Sequence, residues 1–121
     1  MKEQKNDLGK IGEEMAVENL VSKGYKILHR NWRFKHKEID IVAMHDEYLV
    51  IVEVKARSED FYEEPWQAVT NQKIRFLADA TEAYIEKYNI ENEIRFDIVS
   101  IVFKKDKPEI ELIEDAFRPW M

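Results

Sequence analysis

The 121-residue chain contains no cysteine, which excludes a disulfide framework, a thiolate nucleophile, an iron–sulfur cluster and a Cys-ligated zinc site. A reducing compartment is the simplest setting, and a cytoplasmic protein is expected. No apolar run approaches the roughly 20 residues that a membrane helix needs. The stretch Met1 to Lys10 is polar, without the apolar segment of a secretory signal. Glycine and proline occur three times each, so breaks are few and elements should be long. No internal repeat, low-complexity tract or flexible linker divides the chain, and its length leaves no room for a second full domain. What is present is 45% hydrophobic and includes three Trp, six Phe and five Tyr, too much aromatic mass for a disordered tail. One folded domain over residues 1–121 is expected.

Charge is uneven. The net value of −6 argues at first against a polyanionic partner. Yet Ser22 to Lys37 holds six basic side chains (Lys23, Lys26, Arg30, Arg33, Lys35, Lys37) and no acid, leaving 13 basic against 25 acidic groups elsewhere.

Asn6 or Asp7 can cap a helix from Asp7 to Lys23, whose apolar positions Leu8, Ile11, Met15 and Leu20 follow a 3.6 period and which Gly24 would end. Tyr25 to Phe34, Glu38 to Met44 and Tyr48 to Lys55 are rich in β-branched and aromatic residues and predict an antiparallel meander. Ala56 to Glu64 reads as a loop, and Pro65 suits the first turn of a second helix. That helix places Thr70, Ile74, Leu77, Ala78, Thr81, Ile85 and Tyr88 on one face. A strand from Ile94 to Phe103 and a shorter edge strand from Glu109 to Ile113 complete the order. The third and fourth strands, joined through a helix, should run parallel. The class is α/β, a mixed sheet flanked by helices with an αβββαβ core.

The informative stretch is Glu38-Ile39-Asp40-Ile41-Val42 followed by Val50-Ile51-Val52-Glu53-Val54-Lys55. With Asp46-Glu47 as a two-residue turn, Asp40 lies opposite Glu53, and alternation places Lys55 on their face. Like charges at about 5 Å and an effective dielectric near 20 repel by roughly 3 kcal/mol. A shared proton, Lys55 or a divalent cation could offset this. Magnesium suits one or two carboxylates with several waters retained. Lys55 could then orient a water or stabilise a pentavalent phosphorus. The same residues also allow a plain surface ion pair of Lys55 with Glu53 or Glu38. The basic segment, interleaved with Tyr25, Trp32 and Phe34, could track a phosphate backbone, with Lys73 and Arg75 adding contacts. It also fits a strand with one charged and one packed face. His29, His36 and His45 lack metal-ligand spacing and are expected in strands or turns exposed to water. Asp97, within an apolar strand, is expected to be a structural acid.

Gly12-Glu13, Gly24-Tyr25, Arg30-Asn31-Trp32-Arg33, Glu38-Ile39-Asp40-Ile41-Val42-Ala43, Val52-Glu53-Val54-Lys55-Ala56-Arg57, Lys73 and Arg95-Phe96-Asp97 together resemble the YraN-like family of small bacterial proteins over nearly the whole chain. It differs from that family in carrying Lys37 where glycine is usual. The resemblance implies a fold of the restriction-endonuclease-like superfamily, whose nucleases carry an Asp followed by Glu-x-Lys or Asp-x-Lys. Asp40, Glu53 and Lys55 match these positions. Glu13 matches a glutamate on the first helix of archaeal Holliday-junction resolvases. The expectation is a metal-dependent endonuclease acting on DNA, in branched or non-standard form by analogy alone. It would use Asp40 and Glu53 as ligands of Mg2+ (or Mn2+), Lys55 and Glu13 in catalysis, and Arg30, Arg33, Lys35, Lys37 and Lys73 on nucleic acid. A homodimer is one assembly open to it. Two other classes fit the sequence: an inactive nucleic-acid-binding module on the same scaffold, and a protein-interaction domain, to which the net charge lends some support.

Overall fold

Helix α1 (Lys2–Ser22) ends where Gly24 adopts a left-handed φ of +91°. The Gly24 N–H donates to the Val21 carbonyl and the Tyr25 N–H to the Leu20 carbonyl, both at 3.0 Å, the paired bonds of a Schellman termination. Leu20 and Tyr25, which flank that turn, are buried in one cluster. The computed structural model describes residues 2–61 and 63–120, with the side chains of 2–7, 61 and 68 outside the description. The helix starts at Lys2, not Asp7, so Asn6 and Asp7 lie inside it. The Lys, Glu and Gln that precede them propagate a helix well and nothing in that stretch stops it.

Three strands follow, β1 (Lys26–Phe34), β2 (Lys37–His45) and β3 (Tyr48–Ser58), then two short 3-10 turns (Glu59–Phe61 and Pro65–Ala68), α2 (Asn71–Tyr88), β4 (Glu93–Phe103) and β5 (Glu109–Ile113). The sheet order is β1-β2-β3-β4-β5, antiparallel throughout except for the parallel β3–β4 pair. Two boundaries differ from expectation. Residues 56–58 extend β3 because they pair with Ile101, Val102 and Phe103, a non-local contact that a polar local sequence conceals. Pro65 begins an isolated 3-10 turn, and Thr70 is the N-cap of α2, its hydroxyl accepting the Lys73 N–H. A Thr cap satisfies a donor that a helix running on from Pro65 would have no need to cap.

The helices cover opposite faces. Ala16 and Leu20 of α1 pack with Ile41, Ala43, Val50, Val52, Val99 and Ile101, whereas Leu77, Ala80 and Tyr84 of α2 pack with Ile39, Val42, Leu49, Ile51 and Phe96. The buried stripe of α2 is thus Leu77, Ala80, Thr81 and Tyr84, with Tyr88 at the surface, rotated from the expected face. Tyr84 turns inward because its hydroxyl meets His29 Nδ1 at 2.7 Å. Two histidines expected in water are therefore in contacts. His29 lies against Tyr84 and Tyr88, while His45 stacks on Tyr25 at 3.9 Å and accepts from Arg95; His36 is exposed. Both open edges of the sheet are charged: β1 carries Lys26, Arg30 and Arg33, and β5 carries Glu109 and Glu111.

Helix α1 approaches β3 closely at Gly12, where an added Cβ would lie 2.5 Å from that of Ala56. At Gly9, one turn earlier, a Cβ would meet nothing within 4 Å. Gly12→Ala should lower stability by about 1–3 kcal/mol through overpacking, while Gly9→Ala should raise it by up to about 1 kcal/mol through helix propensity. Urea denaturation of the two variants checks the contrast, and equal stability would refute the close approach.

Candidate functional site

Strand β2 changes face in its middle. Ile39 belongs to the α2-side core and Ile41, two residues on, to the α1-side core, although regular alternation would put both on one face. The irregularity falls on Asp40. The β2–β3 ladder keeps the expected register from His45↔Tyr48 to Ile41↔Val52, and beyond Val52 the Val54 N–H donates to Asp40 Oδ2 at 2.8 Å. A carboxylate thus takes a ladder donor, and the side chain is held in the opening between the strands.

That position brings Asp40 into side-chain contact with Glu53; the two are the expected neighbours, but not ladder partners, since the register ends at Ile41↔Val52. Burial, then the Glu53 charge, push the Asp40 carboxyl well above the usual carboxylate range, against the lowering influence of the Val54 N–H and of Lys73. Glu53 is itself buried, and its Oε1 has no hydrogen-bond partner. Its Oε2 receives Lys73 Nζ at 2.8 Å. Burial lowers the affinity of that amine for its proton, but the Glu53 charge and hydrogen bond and the Asp40 charge outweigh it, and Lys73 ends above its ordinary value.

Of the three groups that could offset the repulsion, Lys55 is not the one in place. It pairs with Glu63 at 3.9 Å, and the Glu63 carbonyl accepts from Arg57. Lys55 nevertheless lines the same depression as Asp40, a space of about 500 Å³ walled also by Glu13 and Lys10 of α1. Glu13 accepts from Asn31 Nδ2 at 2.8 Å and Arg30 Nε at 3.2 Å, and Arg30 also binds Glu14 at 2.7 Å. Among the described residues no three His, Asp or Glu side chains are close enough to hold one ion together, so Glu13 stands apart from the Asp40–Glu53 pair. Arg33, Lys35 and Lys37 are exposed. Lys35 and Lys37 share a small cleft with Gln72 and Phe76, beside the turn that carries Lys73.

Lys73, expected at phosphate contacts, is instead bonded to Glu53. One signal was available: Lys73 is the third residue of α2, and a cation in a first turn opposes the helix dipole unless an anion faces it.

Asp97 closes a separate network. It is fully buried and accepts from both Arg95 Nε and Nη2 at 2.9 Å, from Tyr25 at 2.7 Å and from the Asp115 N–H at 3.0 Å. With the Ala116 N–H to Phe96 carbonyl bond of 2.7 Å, it pins the segment after β5. This carboxylate has a donor on each oxygen, whereas Glu53 retains an acceptor without one.

The fold and site define a three-layer α/β/α protein with two carboxylates and a lysine gathered where β2 and β3 part. Residues 12–101 match the model of the uncharacterised protein family UPF0102. The chain is 46% identical over 114 residues to a UPF0102 protein of Parabacteroides distasonis and 45% identical over 114 residues to one of Phocaeicola vulgatus, covering 94% of each chain in both comparisons. It is also 46% identical over 112 residues to the UPF0102 protein FP2501 of Flavobacterium psychrophilum, covering 93% of this chain and 94% of that one. The chain belongs to the UPF0102 family, which is the YraN-like family. Among the described residues, no helix is long and apolar enough to cross a membrane.

The raised Asp40 carboxyl has a stability consequence. Its protonated form is favoured by the fold, so that contribution is complete below the unfolded carboxylate value and is lost as pH rises through the folded one. Asp40→Asn, permanently neutral and able to donate toward Glu53, should match the parent chain in acid and exceed it by about 1–2 kcal/mol near pH 8, the scale of one buried polar group gaining a partner. Denaturant titrations across pH read this directly; a variant that loses ground as pH rises would contradict it.

Proposed function

We propose that this chain is a divalent-cation-dependent nuclease of the restriction-endonuclease-like type, hydrolysing DNA phosphodiesters in the cytoplasm. The observation that carries the reading is the forced proximity of Asp40 and Glu53 in a buried setting with Glu53 Oε1 unsatisfied. An anionic pair with a vacant hard-oxygen acceptor fits Mg2+ or Mn2+, and a two-carboxylate set with water filling the remaining positions is how magnesium is ordinarily held. Asp40 and Glu53 would hold the ion. When bound, such a cation withdraws charge from a phosphate and makes a neighbouring water easier to deprotonate.

The chain's own groups then have defined tasks. The Val54 N–H fixes the rotamer of Asp40, so that carboxylate is oriented before any ligand arrives. Lys55, on the rim of the Asp40 depression, would turn from Glu63 to orient the attacking water and offset negative charge growing on the phosphate oxygens. In the hydrolysis, water oxygen bonds to phosphorus and the bond from phosphorus to the departing sugar oxygen breaks. The products are a phosphomonoester and a hydroxyl. Lys35, Lys37 and Arg33, exposed along the β1–β2 hairpin, supply a cationic path for the backbone. Arg30 reaches that path only by leaving Glu13 and Glu14. Branched DNA is the substrate suggested by analogy for the Glu13 position.

Incubating the purified protein with linear, flapped and four-way DNA in Mg2+ or Mn2+ tests the reading. Cleavage by the parent chain should fall by at least about 100-fold in Lys55→Ala and in Glu53→Gln, the usual cost of removing one transition-state contact. No cleavage by the parent chain, or undiminished cleavage by these variants, overturns it. Salt-sensitive DNA binding shared by the parent chain and Asp40→Asn, with no cleavage by the parent chain, would instead favour a binding module.

A further inference from the structure

Lys73 Nζ lies 2.8 Å from Glu53 Oε2, and the other oxygen of that carboxylate is buried with no partner. One oxygen of Glu53 is therefore covered by an ammonium, and the other is enclosed without a donor. An ammonium and a divalent ion on the same two carboxylates repel each other. For the ion to bind at full strength, the ammonium must leave, and a lysine ammonium leaving a buried carboxylate needs another anion.

The surroundings define where it can go. The Thr70 hydroxyl holds the Lys73 main chain at 3.2 Å, so the helix start stays fixed and any movement is in the four-carbon stem. Lys35 and Lys37, with Gln72 and Asp79, line a cleft beside the helix turn that carries Lys73, and a phosphate held by those two lysines would be the anion offered to the released amine.

We propose that Lys73 is a built-in counter-ion that competes with a divalent cation at the Asp40–Glu53 pair and yields it when a nucleic-acid phosphate receives its ammonium. This rests on the cation-site reading given above. Cation and phosphodiester then bind cooperatively, and the coupling is reciprocal: each raises the affinity for the other by the same factor. In the absence of nucleic acid, Lys73 keeps the pair neutralised and the affinity for the ion low.

The test is Mn2+ binding, followed by the loss of the free-ion electron paramagnetic resonance signal, with Asp40→Asn defining the background. Lys73→Gln keeps a hydrogen bond to Glu53 without the charge and should bind Mn2+ at least about tenfold tighter than the parent chain, about 1.4 kcal/mol. Lys73→Arg should behave as the parent. Adding a short DNA duplex, corrected for Mn2+ on DNA alone, should tighten binding in the parent chain and leave Lys73→Gln nearly unchanged. Thermal midpoints with and without Mn2+ give a second reading, in which the Lys73→Gln midpoint rises more than the parent's. Unchanged or weaker binding by Lys73→Gln, with the parent chain binding, overturns the competition and leaves the cation site standing. A parent chain whose Mn2+ affinity ignores DNA overturns the phosphate exchange. Failure of all three chains to bind Mn2+ overturns the cation site itself.

Discussion

Two carboxylates on neighbouring strands share a space largely withdrawn from water, and their mutual repulsion conditions everything around them. Left alone, such a pair would force the strands apart or stay protonated. Here both responses are visible in partial form. The ladder between β2 and β3 stops at Ile41↔Val52, and the Asp40 carboxyl is driven toward its neutral state. The Val54 N–H and Lys73 complete the compensation from two directions, one from the backbone of β3 and one from the first turn of α2. The irregularity in β2 is thus a requirement of the site: a regular strand would return the Val54 donor to the ladder.

A further buried carboxylate, Asp97 on β4, is one position away from Glu53 in register, beside Val52. Asp97 is more deeply buried than Asp40, yet Arg95 grips it with two nitrogens while Tyr25 and the Asp115 N–H add further donors. That carboxylate is saturated and serves to anchor the segment following β5. A bidentate guanidinium offers a fixed geometry that a single ammonium cannot. Lys73 holds Glu53 through one nitrogen on a four-carbon stem, a looser grip than the two-nitrogen hold of Arg95 on Asp97.

Much of this was legible in the order of residues. The turn at Asp46-Glu47, the Gly24 stop, the meander and the parallel β3–β4 pair follow from local chemistry and connection length, and the hairpin register points Asp40 toward Glu53, although the ladder itself ends one pair short of them. The departures arise where distant residues decide. Residues 56–58 are strand because β4 lies beside them. His29 is in contact because Tyr84 and Tyr88 reach it from α2. Strict alternation placed Lys55 with the acidic pair, but Arg57 and Glu63 draw a loop near enough to take it instead. The bond from Lys73 to Glu53 crosses twenty residues and two layers, and only the awkwardness of a cation in a first helical turn hinted at it.

The two open edges of the sheet differ in sign, with cations along β1 and glutamates along β5. A body of net charge −6 built this way is electrically lopsided, and a lopsided body turns in an external field even when it is repelled on average. Near a polyanion it would rotate so that its lysine- and arginine-bearing border leads and its acidic border trails. Orientation is then selected during approach, before any contact is made.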